Sequence, residues 1–199
     1  MISSCTGSLV LFLGNMYSGK SSRLILEYQR WKAIKKRTLV INHCFDDRYG
    51  SADVLSSHDH MKVPCISVRL LSDVPEEQVE NAEAIFINEG QFFNDLKSKC
   101  LEWCELKGKH IFVAGLDGDR HRKVFGQILD LIPFADYYEK LLAKCIYCLD
   151  GTNACFTHDT LKNKTVGQIQ VGAEQYVPLC RKHYLKENGD YRSIDSSVE

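Results

Sequence analysis

An α/β fold, with helices on both faces of a parallel sheet and a small metal-held lobe at the C-terminal end, is predicted by three observations. Apolar runs of strand length alternate with segments of helical periodicity as far as about residue 140. The first run opens into the glycine-rich stretch GNMYSGKS, Gly14 to Ser21. Beyond residue 140 the alternation stops, and two pairs of cysteine and histidine flank a polar stretch.

The elements follow in order. Ser8 to Leu13 reads as a buried strand, and Ser21 to Lys36 as a helix with Leu24, Tyr28 and Trp31 spaced for one face. RTLVINH (Arg37 to His43) is a second strand. Cys44 to Met61 is rich in Asp, Ser and His and reads as a long mobile loop. EAIFIN (Glu83 to Asn88) is a third strand, Gln91 to Leu106 a helix, and KHIFVAGL (Lys109 to Leu116) a fourth strand. The expected division is an α/β domain over 1–143, a metal lobe over 144–186 and a polar, disordered tail over 187–199.

Composition limits the function classes. The 199 residues suit one domain with an appendage, and 44% are apolar, as in soluble globular proteins. Lys plus Arg number 25 against 26 for Asp plus Glu, so charge gives no reason to expect a nucleic-acid polymer or a membrane surface as partner. Apolar runs fall short of the roughly 20 residues that cross a bilayer. The run Leu9 to Leu13 has no basic leader and reads as a strand, not a secretion signal. Nine cysteines, an odd number, fit reduced thiols in a cytoplasmic protein better than a disulfide framework. Cys5, Cys44, Cys65, Cys100, Cys104 and Cys155 lack partner spacing and are expected as core thiols.

GNMYSGKS fits G-x-x-x-x-G-K-[ST] in full, between a strand and a helix. Glycines let the backbone curl so that N–H groups point at an anion, and the helix N-terminus adds positive partial charge. Gly14, Asn15, Met16, Tyr17, Ser18, Gly19, Lys20 and Ser21 are therefore candidate phosphate-binding residues. Lys20 can reach the β- and γ-phosphates, and the Ser21 hydroxyl can ligate Mg²⁺. The loop implies a nucleoside triphosphate and leaves the phosphoryl acceptor open. The alternative is a glycine-rich turn with an exposed lysine.

Cys145 and Cys148 form C-x-x-C, and Cys180 and His183 form C-x-x-H. Two such knuckles supply the four tetrahedral positions that Zn²⁺ prefers, and a site filled by four protein ligands is structural. A redox C-x-x-C is the rival for the first pair, but it leaves Cys180 and His183 unexplained.

Further stretches resemble the type II thymidine kinases. FDDRYG (Phe45 to Gly50), with His58 and Asp59 after it, resembles that family's D-x-R-Y loop. INEGQFF (Ile87 to Phe93) resembles its D-E-G-Q-F-F stretch. LDGDRHRKVFG (Leu116 to Gly126) resembles its L-D-G-x-x-x-R-K-x-F loop, and VGAEQYVPLCRKHY (Val171 to Tyr184) its ending. The resemblance implies a P-loop sheet with a zinc-binding lasso lobe. It implies ATP- and Mg²⁺-dependent phosphorylation of the 5′-hydroxyl of thymidine, with deoxyuridine as a further acceptor, in deoxynucleoside salvage. It also implies a homotetramer and feedback inhibition by thymidine triphosphate (dTTP).

Under this resemblance Glu89 is the catalytic base, and Asp46, Arg48, Asn88 and Gln91 join the ATP site. Met16, Phe92, Leu116, Arg120, Phe125, Thr157 and Tyr176 line the nucleoside. Gly167, Gln168, Ile169, Gln170 and Val171 read the base through lasso backbone groups. Three positions depart from the family. Asn88 replaces the usual Asp, which keeps an oxygen acceptor but removes a charge near Mg²⁺. Arg120 stands where many members have Phe. Val171 stands where a glycine is common. These departures keep a second class open, a nucleotide-binding relative without kinase activity. A zinc-containing nucleic-acid binder is disfavoured by the neutral charge balance.

Overall fold

The computed structural model describes residues 7–45, 54–56, 61–161 and 175–189. β1 (Ser8–Gly14) leads through the glycine-rich turn into α1 (Lys20–Ala33), and β2 (Thr38–His43) follows. β3 (Val54–Ser56) pairs antiparallel with β4 (Lys62–Pro64), and β5 (Ile66–Val68) then lies along β2. α2 (Glu76–Asn81) precedes β6 (Ala84–Ile87). A 3-10 turn (Gly90–Phe92), α3 (Leu96–Leu101) and a π-turn (Glu102–Leu106) lead to β7 (His110–Leu116). A 3-10 stretch (Ile128–Phe134) then enters β8 (Tyr137–Leu141). The last part holds β9 (Ala143–Lys144), β10 (Asn153–Ala154), β11 (Phe156–Asp159), β12 (Tyr176–Leu179) and α4 (Arg181–Asn188).

The main sheet has the order β5-β2-β6-β7-β1-β8, and every pairing in it is parallel. Its central strands are apolar on both faces, and alternation sorts them. Leu9, Leu11, Ile85, Ile87, Ile111 and Val113 face one core, with Val79 of α2 and Leu96 and Cys100 of α3 packed on it. Phe12, Phe86, Phe112 and Ala114 face the other, covered by Leu24 and Ile25 of α1 with Tyr28 and Trp31 beside them. Phe86 stacks on Phe112 with ring centroids 4.8 Å apart. Burying one such side chain contributes roughly 1.5–3 kcal/mol. Parallel strands bring the ends of β1, β2, β6 and β7 to one edge, the edge where open α/β sheets bind ligands.

The C-terminal part has a core of its own: Ala143, Cys145, Ala154, Leu179, Cys180 and Tyr184. Two antiparallel pairs, β9 with β10 and β11 with β12, carry it. So small a core is weak by itself and calls for a staple.

Several expectations need correction. The stretch expected as one loop over Cys44 to Met61 contains β3, which pairs with β4; the rest of it lies largely outside the described residues. The helix expected over Gln91 to Leu106 is broken into three pieces. Glu89 takes a left-handed conformation (φ 53°) and Asp95 stands between the turn and α3, so no continuous ladder can run through. α4 reaches Asn188, within the polar stretch expected as tail, because the Asn188 side chain is held by Tyr184 O and His158 Nδ1. Cys65, Cys100 and Cys104 are buried as expected, Cys155 is half-buried, and Cys44 is exposed in the turn after β2. Cys5 lies outside the described residues.

His43 ends β2 with its neutral ring held in one tautomer. The Phe45 N–H donates to its Nδ1 (3.1 Å), so Nε2 carries the hydrogen and donates to Arg69 O (3.1 Å). Burial lowers its pKa from the ordinary 6.5, although the Arg69 hydrogen bond and the charge of Glu89 pull upward. Burial lowers that of His110 as well. The unfolded chain therefore takes up these protons first as pH falls, and stability present above pH 6.5 is lost below it. Urea midpoints measured between pH 7.5 and 5.5 should fall with acidity, and His43→Gln should flatten that slope.

Candidate active site

The phosphate loop is built by its glycines and closed by its own polar groups. At Gly14 (φ +152°) a Cβ would stand 2.4 Å from Leu141 O, so β1 can turn against the end of β8 only without a side chain there. Gly19 (φ +84°) is left-handed and lets α1 begin at Lys20. Ser18 Oγ donates to Asn15 O (2.8 Å), and Lys20 Nζ donates to the same oxygen (2.7 Å). Lys20 is buried, so its ammonium is held inside the curl of the loop, where an anion would meet it. Tyr17 is left-handed and exposed at the rim (φ 63°).

The same loop is tied to the small lobe. The buried Asn15 side chain accepts from Ala143 N (3.4 Å) and donates to Phe156 O (3.3 Å). Met16 N donates to Thr157 Oγ1 (3.0 Å). Thr157, expected beside the nucleoside, thus stands against the phosphate loop.

Ser21, in the first turn of α1, donates through Oγ to Asn88 Oδ1 (3.0 Å). Asn88 Nδ2 donates to Asn42 Oδ1 (3.0 Å), which turns the Asn88 oxygen toward Ser21. Two oxygens at the loop's helix are a donor set that suits Mg²⁺, a hard cation. Glu89 follows at the end of β6 and is buried, with 8% of its surface exposed. Its carboxylate oxygen Oε2 accepts from Gln91 Nε2 at 2.6 Å, and Gln91 Oε1 accepts from Leu116 N at 2.9 Å. Gln91, expected among the phosphate ligands, therefore has both ends of its amide engaged by the catalytic candidate and by β7.

The residues expected to line the nucleoside fall into two groups. Phe92 and Phe125 meet edge to face, with centroids 5.5 Å apart, and Phe45 and His43 extend this cluster. Leu116 ends β7 close by through Gln91. Arg120 points to the small lobe, where Nη1 pairs with Asp159 Oδ2 (3.1 Å) with little exposure of either side chain. Tyr176 pairs with Asp159 across β11 and β12. Asp46, Arg48 and the span Gly167, Gln168, Ile169, Gln170 and Val171 lie outside the described residues.

Cys145, Cys148, Cys180 and His183 converge with all ligand atoms within 4.8 Å. His183 Nδ1 lies 3.4 Å from each of the three sulfurs, and the Cys148 and Cys180 sulfurs are 3.8 Å apart. Tetrahedral zinc with ordinary bond lengths needs about 3.6 Å and 3.8 Å for these separations, so the group could hold a metal ion such as zinc. Burial pushes the Cys145 thiol up, but N–H groups of Cys180, Tyr147 and Cys148 and the His183 ring outweigh it and hold the thiol at about 6. Burial and the neighbouring Cys145 and Cys180 push Cys148 up to about 11. The cluster thus favours one thiolate from which metal binding can begin.

Sequence reasoning missed Asn42, Gln91's true partners, and the residues that seat the small lobe. Asp119 Oδ1 accepts from His121 N (2.8 Å) and Lys123 N (2.9 Å), shaping the loop that carries Arg120 and Arg122. Arg122 lies over the Phe156 and Tyr184 rings, and Tyr184 OH donates to Arg120 O (2.6 Å). The motif containing these arginines was legible; their partners were not.

Among the described residues no helix is long and apolar enough to cross a membrane. The family pattern described as thymidine kinase matches residues 7–184. The chain is 38% identical to a thymidine kinase of Yaba monkey tumor virus, covering 94% of this chain and 99% of that one. It is 37% identical to a cytosolic thymidine kinase of Cricetulus griseus (92% and 75% covered). It is 38% identical to a thymidine kinase of Oryza sativa (90% of this chain, 66% of that one). With a match over most of its length and these identities, the chain belongs to the thymidine kinase family.

Proposed function

We propose that the chain transfers the γ-phosphoryl group of ATP to the 5′-hydroxyl of thymidine, and of deoxyuridine, with Glu89 as proton acceptor. The observation that carries this is the buried Glu89 carboxylate at the end of β6, one residue from Asn88, whose oxygen meets Ser21 of the phosphate loop. A carboxylate there can take the hydroxyl proton as the oxygen attacks. Lys20 and the loop amides hold the donor phosphates. Ser21 and Asn88 would hold Mg²⁺, which when bound neutralises charge on the β- and γ-phosphates. Asp46 and Arg48 complete the phosphate side, and Phe92, Leu116, Phe125, Tyr176 and the backbone of 167–171 the nucleoside side. Cys145, Cys148, Cys180 and His183 hold a structural zinc. The family resemblance supports a homotetramer, inhibition by thymidine triphosphate, a cytoplasmic location and a role in thymidylate salvage.

Three outcomes are expected. In an ATP and Mg²⁺ assay over thymidine, deoxyuridine, deoxycytidine and deoxyguanosine, thymidine turns over fastest, and Glu89→Gln lowers kcat by about 10²–10⁴-fold. A wild-type chain that binds ATP but turns over none of the four would establish the noncatalytic class instead. Asn88→Asp restores a charge beside the cation, so half-saturating Mg²⁺ should drop about tenfold, checked independently by Mn²⁺ binding in electron paramagnetic resonance. Metal analysis should find one zinc per chain, and chelation should lower the melting temperature and raise the thymidine KM, because β9 to β12 lose their staple.

A further inference from the structure

We infer that Gln91 is the positioning residue for the proton acceptor, an inference that rests on the assignment of that role to Glu89. Gln91 is almost fully buried, at 3% exposure. The Leu116 N–H can only donate, so the oxygen of the Gln91 amide must face it, and the NH₂ must face Glu89. The amide orientation is thus set by the sheet, and Glu89 receives a hydrogen bond of 2.6 Å from it.

The surroundings leave room for this residue, side chain and backbone. A Cβ on Gly115 would stand 2.6 Å from Gln91 Oε1 and 2.6 Å from Ile128 Cδ1. A Cβ on Gly126 would stand 2.1 Å from Gln91 O. Two positions without side chains leave the room that Gln91 occupies. Glu89 itself is left-handed (φ 53°), a conformation that a non-glycine residue keeps only when its neighbours hold it. The Phe92 N–H to Glu89 O bond (3.0 Å) holds its backbone, and the Gln91 amide holds its carboxylate.

In the proposed reaction the 5′-oxygen forms a bond to the γ-phosphorus while the bond to the β,γ-bridging oxygen breaks. ADP leaves with that electron pair, and the hydroxyl proton passes to Glu89. Gln91 exchanges no proton. It sets which way the carboxylate faces, and by donating to the charged form it holds down the basicity of the acceptor. Because the same amide accepts from Leu116, it links the acceptor to the end of β7. A phosphate ligand at Gln91, the role that the family resemblance implies for it, would act on ATP binding instead.

The test uses Gln91→Met, Gln91→Asn and Gly115→Ala, with Glu89→Gln in parallel. Loss or displacement of the donor should lower kcat about tenfold and move the acid limb of the kcat–pH profile up by about one pH unit. The Kd of ATP·Mg²⁺ by calorimetry should stay within about twofold, since no phosphate contact is removed. A lowered kcat with an unmoved acid limb would overturn the inference in favour of a purely structural role. Weakened ATP binding with normal kcat at saturation would overturn it in favour of a phosphate ligand. A readout on the wild-type chain is independent of how the variants fold: the Gln91 side-chain amide resonance should titrate with Glu89, and an amide insensitive to pH would sink the idea. Glu89→Gln with undiminished kcat would instead remove the acceptor assignment itself, whatever the Gln91 variants do.

Discussion

The side-chain amide of Asn15 is the joint on which the arrangement of the site depends. It is buried between the phosphate loop and the small lobe, accepting from Ala143 N and donating to Phe156 O. Ala143 stands two residues before the first metal-ligand candidate, Cys145, and Phe156 pairs with Leu179, the neighbour of Cys180. The glycine-rich loop is therefore linked through one amide to both knuckles of the Cys/His cluster. Thr157 adds a second link by accepting from Met16 N. A buried amide with both ends satisfied contributes only about 1 kcal/mol per bond, but leaving either end unpaired costs more, which fixes the loop in one register.

Around this joint the seam is closed by charge held on aromatic rings. Arg122 lies 4.9 Å from the Tyr184 ring centroid and 5.6 Å from that of Phe156. Arg181 lies 4.9 Å from the Phe156 ring centroid. Arg122 is itself left-handed (φ 62°), a conformation held by Asp119, whose carboxylate accepts the amides of His121 and Lys123 and whose backbone carbonyl accepts that of Arg122. Arg120 and Asp159 form a nearly buried pair across the same seam. Such pairs add little net stability, since desolvation offsets attraction, but they fix geometry. An arginine where many family members carry Phe thus has a partner in this chain that explains its charge.

The pair Asn42 and Asn88 shows the same economy at the cation side. One amide has to orient the other, because O and N of an amide differ only in what they bond. Asn42 Oδ1 accepts from Asn88 Nδ2, so the Asn88 oxygen is presented to Ser21. The usual aspartate would present oxygen from either end and would not need this help.

The sequence by itself determined much of what depends on short-range pattern. The four central strands, the helix after the phosphate loop, the loop itself and the four Cys/His positions were legible because apolar alternation, glycine spacing and ligand spacing are local signals. Leu24, Tyr28 and Trp31 face one core as their spacing required. Tertiary structure decided what depends on partners far along the chain. β3, β5 and β8 are too short or too exposed to announce themselves and exist through pairing with β4, β2 and β1. The break after Glu89 reflects a left-handed turn that no helical periodicity reveals. Gln91 stands three residues after Asn88 in sequence, yet its amide answers to Leu116 on another strand. A hydrogen bond across 25 residues leaves no periodic trace in composition, so only the folded sheet could assign it.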